Sequence, residues 1–393
     1  MVGGGAAGML AALTAARSGA EVTLLERNQK VGRKLYITGK GRCNLTNDCT
    51  VAEFLANVPR NGRFLTSAVT RFSPSAVQSF FTDLGVPLKT ERGNRVFPQS
   101  DKASDVIRCL RGMLEEAGVE VRLQAEVKGL ALREGRAEGI RLEGGALPFD
   151  AVILATGGRS YPKTGSTGDG YAFARQAGHT VTAIRPSLIP LTVKEADVAR
   201  SMQGLSLKNV GFSLAQGKRE LFSGLGELLF THFGLSGPLV LSASAHIANF
   251  DRLTCLIDWK PGLDERQLDA RLLRDFAAAQ NKQLKNVMAG LLPAKAIEPV
   301  IRRAGLKSEK TVNAITREER EALRSTLKSF AFTVTGTRPI DEAIITRGGV
   351  ATKEVNPSTM ESRLAKNLFF AGELLDVDAY TGGFNLQIAF STG

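Results

Sequence analysis

Residues 3–8 read Gly-Gly-Gly-Ala-Ala-Gly, a GxGxxG spacing able to seat the pyrophosphate of a dinucleotide. In that chemistry Gly3 permits the tight turn, Gly5 lets the pyrophosphate reach the backbone, and Gly8 lets a helix pack closely on a strand. The pattern is common, so its surroundings decide its meaning. It opens a helix expected over residues 9–17, with Gly19 as its stop. A strand expected over 21–25 follows and ends at Glu26. The free N–H groups of the helix start face the phosphates. Glu26 sits where a carboxylate grips the adenosine ribose hydroxyls. A glutamate there repels a 2′-phosphate, so FAD or NAD is expected rather than NADP.

Three more segments carry related chemistry. Residues 27–47 hold six basic side chains (Arg27, Lys30, Arg33, Lys34, Lys40 and Arg42) and no acid. With Gly39 and Gly41 permitting close backbone approach, this stretch reads as an extended loop clamped along a dinucleotide. Residues 149–158 form a buried-type strand ending in Thr156-Gly157-Gly158, which brings the chain back across the ligand. Residues 165–170 (GSTGDG) are not a second fingerprint, because no strand leads into them. Near the C-terminus a strand ends at Gly372-Glu373, followed by Asp376 and by Gly382-Gly383, which open a last helix. An acid at such a strand end suits a ribityl chain, and the positive helix end suits the pyrimidine of a reduced flavin. Candidates for moving a proton are few: Cys43 in the basic segment, His232, and Tyr380 just before Gly382.

The elements that must position these residues fit a chain of 393 residues, long enough for two or three domains. A hydrophobic content of 43% with 23% charged residues excludes wholesale disorder. No apolar run approaches ~18 residues, so no spanning helix and no membrane partner are expected. The first twenty residues lack the basic region of a signal peptide. Four cysteines without a CxxC exclude a disulfide scaffold, a zinc knuckle and a dithiol redox pair, and fit a reducing cytoplasm. Only Met1 and Val2 precede the glycine motif, and residues 391–393 end in mid-helix, so the expectation is that both ends are trimmed or that the start was misassigned. The net charge of +12 attracts polyanions or is spread evenly over the surface. Helices are expected over 74–84 and 102–117, and a proline-bearing linker over 185–191. Short strands fill 191–259 and helices fill 264–329, where 259–330 carries 15 basic against 9 acidic residues.

The motifs GGGAAGM, GRKLYITGKGRCNLTN, RVFPQSDKA, ILATGGRSYPKTGSTGDGY, ELLFTHFGLSGP, TRGGV and FAGELLDVDAYTGGFNLQIA together resemble the BaiN/YhiN-type bacterial flavoproteins, NAD(P)/FAD-dependent oxidoreductases. The resemblance covers essentially the whole chain. It implies an α/β fold: a Rossmann-type FAD-binding domain with an inserted β-barrel-like domain that carries a helical subdomain. The boundaries expected are 1–188 and 346–393 for the FAD domain, 189–262 and 329–345 for the β-rich insert, and 263–328 for the helices. The resemblance also implies FAD contacts at Gly5, Ala7, Glu26, Arg33, Lys34, Gly41, Arg42, Asn44, Val127, Glu373, Asn385 and Leu386. To these the motif reading adds Gly3, Gly8, Gly157, Gly372, Asp376 and Gly383. Phe384 stands where the family often has tyrosine, and Ala379 where it often has glycine.

Non-covalent FAD fixes hydride chemistry. With a single dinucleotide fingerprint, NAD(P)H is expected to bind only transiently. The leading expectation, which the resemblance implies, is reduction of a conjugated C=C bond, in a small-molecule enone or in a uracil of ribosomal RNA to give dihydrouridine. The basic charge favours RNA. The alternatives are a flavin-dependent oxidase of a small amine and a non-enzymatic FAD-binding protein.

Overall fold

The structure, a computed structural model, describes residues 1–393. The chain divides into two compact units, one formed by Met1–Ser187 with Pro339–Gly393 and the other by Leu188–Arg338.

In the first unit, short apolar strands build a parallel sheet. Thr23–Glu26 pairs in parallel with Glu120–Leu123, and Val152–Leu154 pairs in parallel with Leu368–Phe370. Val2 joins the two pairs through parallel bridges to both Leu25 and Leu154. The chain then turns at Gly3 into the helix Ala6–Arg17, which ends at Ser18 and the left-handed Gly19. Met9, Leu10 and Leu13 of this helix share a core with Val106, Leu110 and Leu114 of the helix Ala103–Glu116 and with Phe390 of the last helix. A second core brings together Leu130, Ile140, Phe173, Phe370 and Ile388. Helices and small antiparallel sheets therefore bury the sheet, as parallel strands require, and the carboxyl ends of the strands converge near residues 26, 155 and 371. In open parallel sheets that end is where ligands bind.

The expected linker at 185–191 begins instead with a strand. Arg185–Ser187 pairs antiparallel with Ile345–Arg347 and so closes the first unit. Pro186 is tolerated because this two-stranded ribbon leaves its backbone nitrogen free of ladder duty.

The second unit is a closed six-stranded barrel, ordered Leu191–Val193, Gly234–Ser236, Arg219–Phe230, Ser206–Gln216, Leu253–Asp258 and Phe330–Thr337. Along Ser206–Gln216, Leu207, Val210, Phe212 and Leu214 are buried, with a bulge between Leu207 and Val210 shifting the alternation. Trp259 stacks on Phe230 with centroids 5.9 Å apart, and Phe330 and Phe332 complete the aromatic cluster. Between the last two barrel strands lie the helices Glu265–Ala277, Leu284–Met288, Ala294–Arg303 and Arg317–Lys328. Capping boxes at Asp264/Gln267 and Thr316/Glu319 start the outer two. Their buried leucines recur at a spacing of four, as at Leu268 and Leu272 or Leu323 and Leu327.

Candidate functional site

A cavity at the carboxyl ends of the parallel strands is lined by residues 3–7, Glu26, Lys34, Val127, Gly157, Gly372, Glu373, Asn385 and Leu386, among others. The glycine turn makes it possible. A Cβ on Gly8 would lie 1.8 Å from the Gly3 carbonyl oxygen, so only glycine lets the helix start so close to the strand. A Cβ on Gly5 would meet nothing within 4 Å, so Gly5 faces open space at the helix start. No side chain caps that helix and no acid occupies its first turn, leaving its N–H groups for a ligand anion.

Glu26 is buried and held from two sides. Its Oε2 accepts the Gly4 N–H at 2.8 Å, and its Oε1 accepts the Asn28 N–H at 2.8 Å and the Asn28 side-chain amide at 2.6 Å. Lone pairs remain to receive a ribose diol. Further along, Lys34 Nζ lies 2.5 Å from Glu373 Oε2 and donates to Ser160 Oγ at 2.7 Å. Glu373 Oε1 accepts the Thr346 N–H at 2.8 Å and the Ser160 hydroxyl at 3.1 Å. The last helix, Phe384–Thr392, turns out of Gly383 at φ +100°, where a Cβ would strike the Thr46 carbonyl. Asn385 holds the preceding loop by accepting from Ala379 N–H and donating to the carbonyls of Ala379 and Tyr380. Two helix starts, one buried ribose-type acid and one Lys–Glu pair thus line a single crevice. That is the donor set that a pyrophosphate, two polyols and a flavin pyrimidine need, so these residues fit FAD.

Of the residues singled out in the sequence, Gly3, Gly5, Ala7, Glu26, Arg33, Lys34, Val127, Gly157, Gly372, Glu373, Asn385 and Leu386 meet at this cavity. Gly8 packs beneath it. Gly41, Arg42, Asn44, Asp376 and Gly383 are not in its lining. The basic segment is not an extended loop: it folds into the helix Arg33–Ile37 and the 3-10 turn Thr38–Gly41. Arg42 turns to Glu91 and Asp101 and lies over the Phe97 ring at 4.1 Å. Asn44 supports the site from behind, its amide oxygen accepting the Gly383 N–H at 2.9 Å. Asp376 faces Arg60 at 3.5 Å, and Arg60 also reaches the fully buried Asp378.

Cys43 is sealed in the core and burial pushes its thiol up to about 12, so it holds its proton and reaches no ligand. His232 lies exposed in the barrel unit, edge-on to Phe233. Tyr380 is half-buried; burial and then Asp378 raise its hydroxyl above the usual tyrosine range.

The structure adds roles that the sequence did not assign. Arg27 donates to Glu126 and Thr167 at 2.6 Å each and pairs with Asp169, tying the 164–169 loop over the cavity. Gly165, Ser166 and Thr167 line it. The GSTGDG run is therefore a wall of the same site. Its signal was Asp169, an acid suited to the otherwise all-basic 27–47 segment. Ser160 gave no signal, because its role depends on Lys34 and Glu373, 126 and 213 residues away.

No helix is long and apolar enough to cross a membrane. The family model described as HI0933-like protein Rossmann domain matches residues 1–393. Among curated proteins, the chain is 33% identical to a 3-dehydro-bile acid delta(4,6)-reductase of Clostridium scindens, covering 100% of this chain and 96% of the relative. It is 31% identical to a ribosomal RNA dihydrouridine synthase of Escherichia coli K12, covering 100% and 95%. Among solved structures, a 3-ketosteroid-delta4-(5alpha)-dehydrogenase of Rhodococcus jostii RHA1 superposes with a TM-score of 0.51 at 15% identity, covering 99% of this chain and 94% of that one. The last likeness speaks for the fold alone. The match along the whole chain and the FAD-shaped donor set agree: the chain belongs to the HI0933-like family and is an FAD-dependent oxidoreductase.

Proposed function

We propose that this enzyme saturates a C=C bond conjugated to a carbonyl, and that its substrate is a uracil in ribosomal RNA. The observation that carries the reading is full-length similarity to two enzymes whose names describe that one chemistry on different molecules, a bile-acid reductase and a dihydrouridine synthase. The +12 charge favours the polyanionic substrate, because phosphate contacts dominate RNA affinity. A steroid-type enone is the second substrate class, supported by the 33% identity to the bile-acid enzyme.

FAD in the cavity supplies the hydride-donating centre. The chain's own residues bind and orient it. The helix start at Gly5 would receive the pyrophosphate, Glu26 the adenosine ribose, and Glu373 with Lys34 the ribityl chain, and the start of the last helix at Asn385 and Leu386 would hold the pyrimidine. Tyr380, outside the cavity lining but in the loop that Asn385 of the cavity holds through the Tyr380 carbonyl, is assigned as the proton donor for the α carbon. With one dinucleotide fingerprint in the chain, NAD(P)H is a transient electron donor. Four free thiols suit a cytoplasmic setting.

The test is anaerobic mixing of the chemically reduced enzyme with a ribosomal RNA fragment, a steroid enone or a set of small amines. RNA is expected to restore the yellow flavin band, and Tyr380→Phe to slow that step about 10²- to 10⁴-fold at unchanged flavin content. Failure of both RNA and enone, with amines bleaching the oxidised enzyme, overturns the reading.

A further inference from the structure

Beside the cofactor cavity, and sharing Arg33 and Thr164 with it, runs a second groove between the helices Arg33–Ile37 and Ala103–Glu116. Five cations line it: Lys30, Arg33, Arg108, Arg111 and Lys163. Against them stand only Glu115 and Asp341. Arg108 and Arg111 are themselves exposed and pair with the partly buried Asp105 at 3.4 Å and the exposed Glu115 at 3.3 Å. Such pairs are weak and exchange readily for a stronger anion.

The same groove is apolar in its exposed part. Tyr36, Ile37 and Leu123 are 58%, 38% and 43% exposed, three of the eight large hydrophobic side chains the chain leaves exposed. Tyr161 joins them, so two of the four tyrosines face one groove. A fold gains nothing by leaving a tyrosine and an isoleucine in water beside a row of arginines. A ligand with flat apolar faces joined by anionic links makes use of both.

We propose that this groove docks a single-stranded segment of RNA, with bases on Tyr36 and Tyr161 and phosphates on the surrounding cations, flanking the nucleotide that enters the cofactor cavity. The inference rests on the RNA reading of the substrate given above. A single strand is required, because bases stacked inside a duplex do not present their faces to a side chain.

The test uses the full-length, FAD-loaded protein and a fluorescein-labelled oligouridylate of about 12 nucleotides, within the range such grooves accommodate. Binding is followed by anisotropy over a salt series. Tyr36→Ala is expected to weaken binding about tenfold. Arg108→Gln with Lys163→Gln is expected to lower the slope of log K against log salt by about 1.4, two phosphate contacts at ~0.7 each for single strands. Flavin content and melting temperature serve as fold controls. Arg274→Gln with Arg302→Gln, at equally exposed positions in the barrel unit, is expected to leave the slope within half of that change.

Equal losses from the groove and control pairs overturn the proposal in favour of diffuse charge. A groove variant that binds RNA normally but no longer binds phosphatidylserine-containing vesicles overturns it in favour of a membrane surface. Reoxidation of the reduced flavin by the same RNA separates the two readings. Weakened binding with no reoxidation in any form keeps the docking groove and removes uracil as substrate. Reoxidation with undiminished binding in the groove variants does the reverse.

Discussion

The two units bury different things. Thirteen of the sixteen buried polar side chains lie in the cofactor unit, including every buried carboxylate and histidine: Glu26, His179, Asp376 and Asp378. The barrel unit, 151 residues against 242, buries three serines and otherwise a continuous apolar core around Phe230, Trp259, Phe330 and Phe332. Buried charge is costly unless it is bonded, and here it is: Glu26 at the cavity by Gly4 and Asn28, Asp376 and Asp378 away from its lining by Arg60. The barrel's interior holds buried serines but no buried carboxylate or histidine.

The sharpest way to break this contrast is at Gly8. Gly8→Val puts a side chain into the Gly3 carbonyl, which backbone geometry holds in place. We expect a protein that binds no FAD and is destabilised by more than ~4 kcal/mol. Soluble, yellow protein from this variant would show that the turn has room to relax. In the barrel, Phe332→Ala removes a fully buried ring 5.4 Å from Phe330 and 6.2 Å from Phe230. Urea unfolding is expected to lose about 3–5 kcal/mol, while the folded fraction keeps its FAD affinity. A matching loss of FAD affinity would end the division of labour.

The sequence showed the contrast unevenly. The glycine turn, Glu26 and the two helix starts are local: a few residues fix a turn, a strand end or a cap, and composition reveals them. The barrel strands were visible as short runs such as the one that became Ser206–Gln216. What stayed hidden depends on partners far along the chain. Arg42 looked like a clamp, yet Glu91 and Asp101, 49 and 59 residues on, hold it elsewhere. Residues 33–37 looked extended because five residues are too few to show a helical period, although Leu35 alone is buried among them. The strand at 185–187 was masked by its proline, and its pairing with 345–347 crosses the entire insert.

Glu26 separates structural from ligand-directed burial. Glu26→Ala leaves Gly4 N–H and Asn28 without their acceptor, which costs about 1–3 kcal/mol of apoprotein stability. It also removes the acceptor for the ribose diol, so the FAD dissociation constant is expected to rise about tenfold or more. Glu26→Gln, retaining one oxygen, falls between. If stability drops and FAD affinity does not, this carboxylate serves the turn alone.

The smallest effect concerns a buried group that the ligand does not use. His179 lies in the cofactor unit with Nε2 2.7 Å from Ser362 Oγ, Nδ1 3.4 Å from Glu354, and its ring against Phe370. Burial lowers its pKa below the usual histidine value, although Glu354 opposes the shift. The ring is therefore neutral in the folded protein at pH values where the unfolded chain already binds a proton. Its contribution is fully present above about pH 6.5 and is lost as pH falls from there through the lowered folded pKa. Glu354 is itself held below its ordinary 4.5 despite a burial cost, chiefly by hydrogen bonds from Thr180, so its own loss begins only below that pH. Urea midpoints measured between pH 7 and about pH 5 isolate the histidine. His179→Gln is expected to flatten that profile by at most one proton, about 1.4 kcal/mol per pH unit at its steepest. An unchanged slope would mean that His179 has the same pKa folded and unfolded, Glu354 offsetting the burial cost in full; a steeper one would mean that Glu354 holds the ring charged as an ion pair inside the cofactor unit.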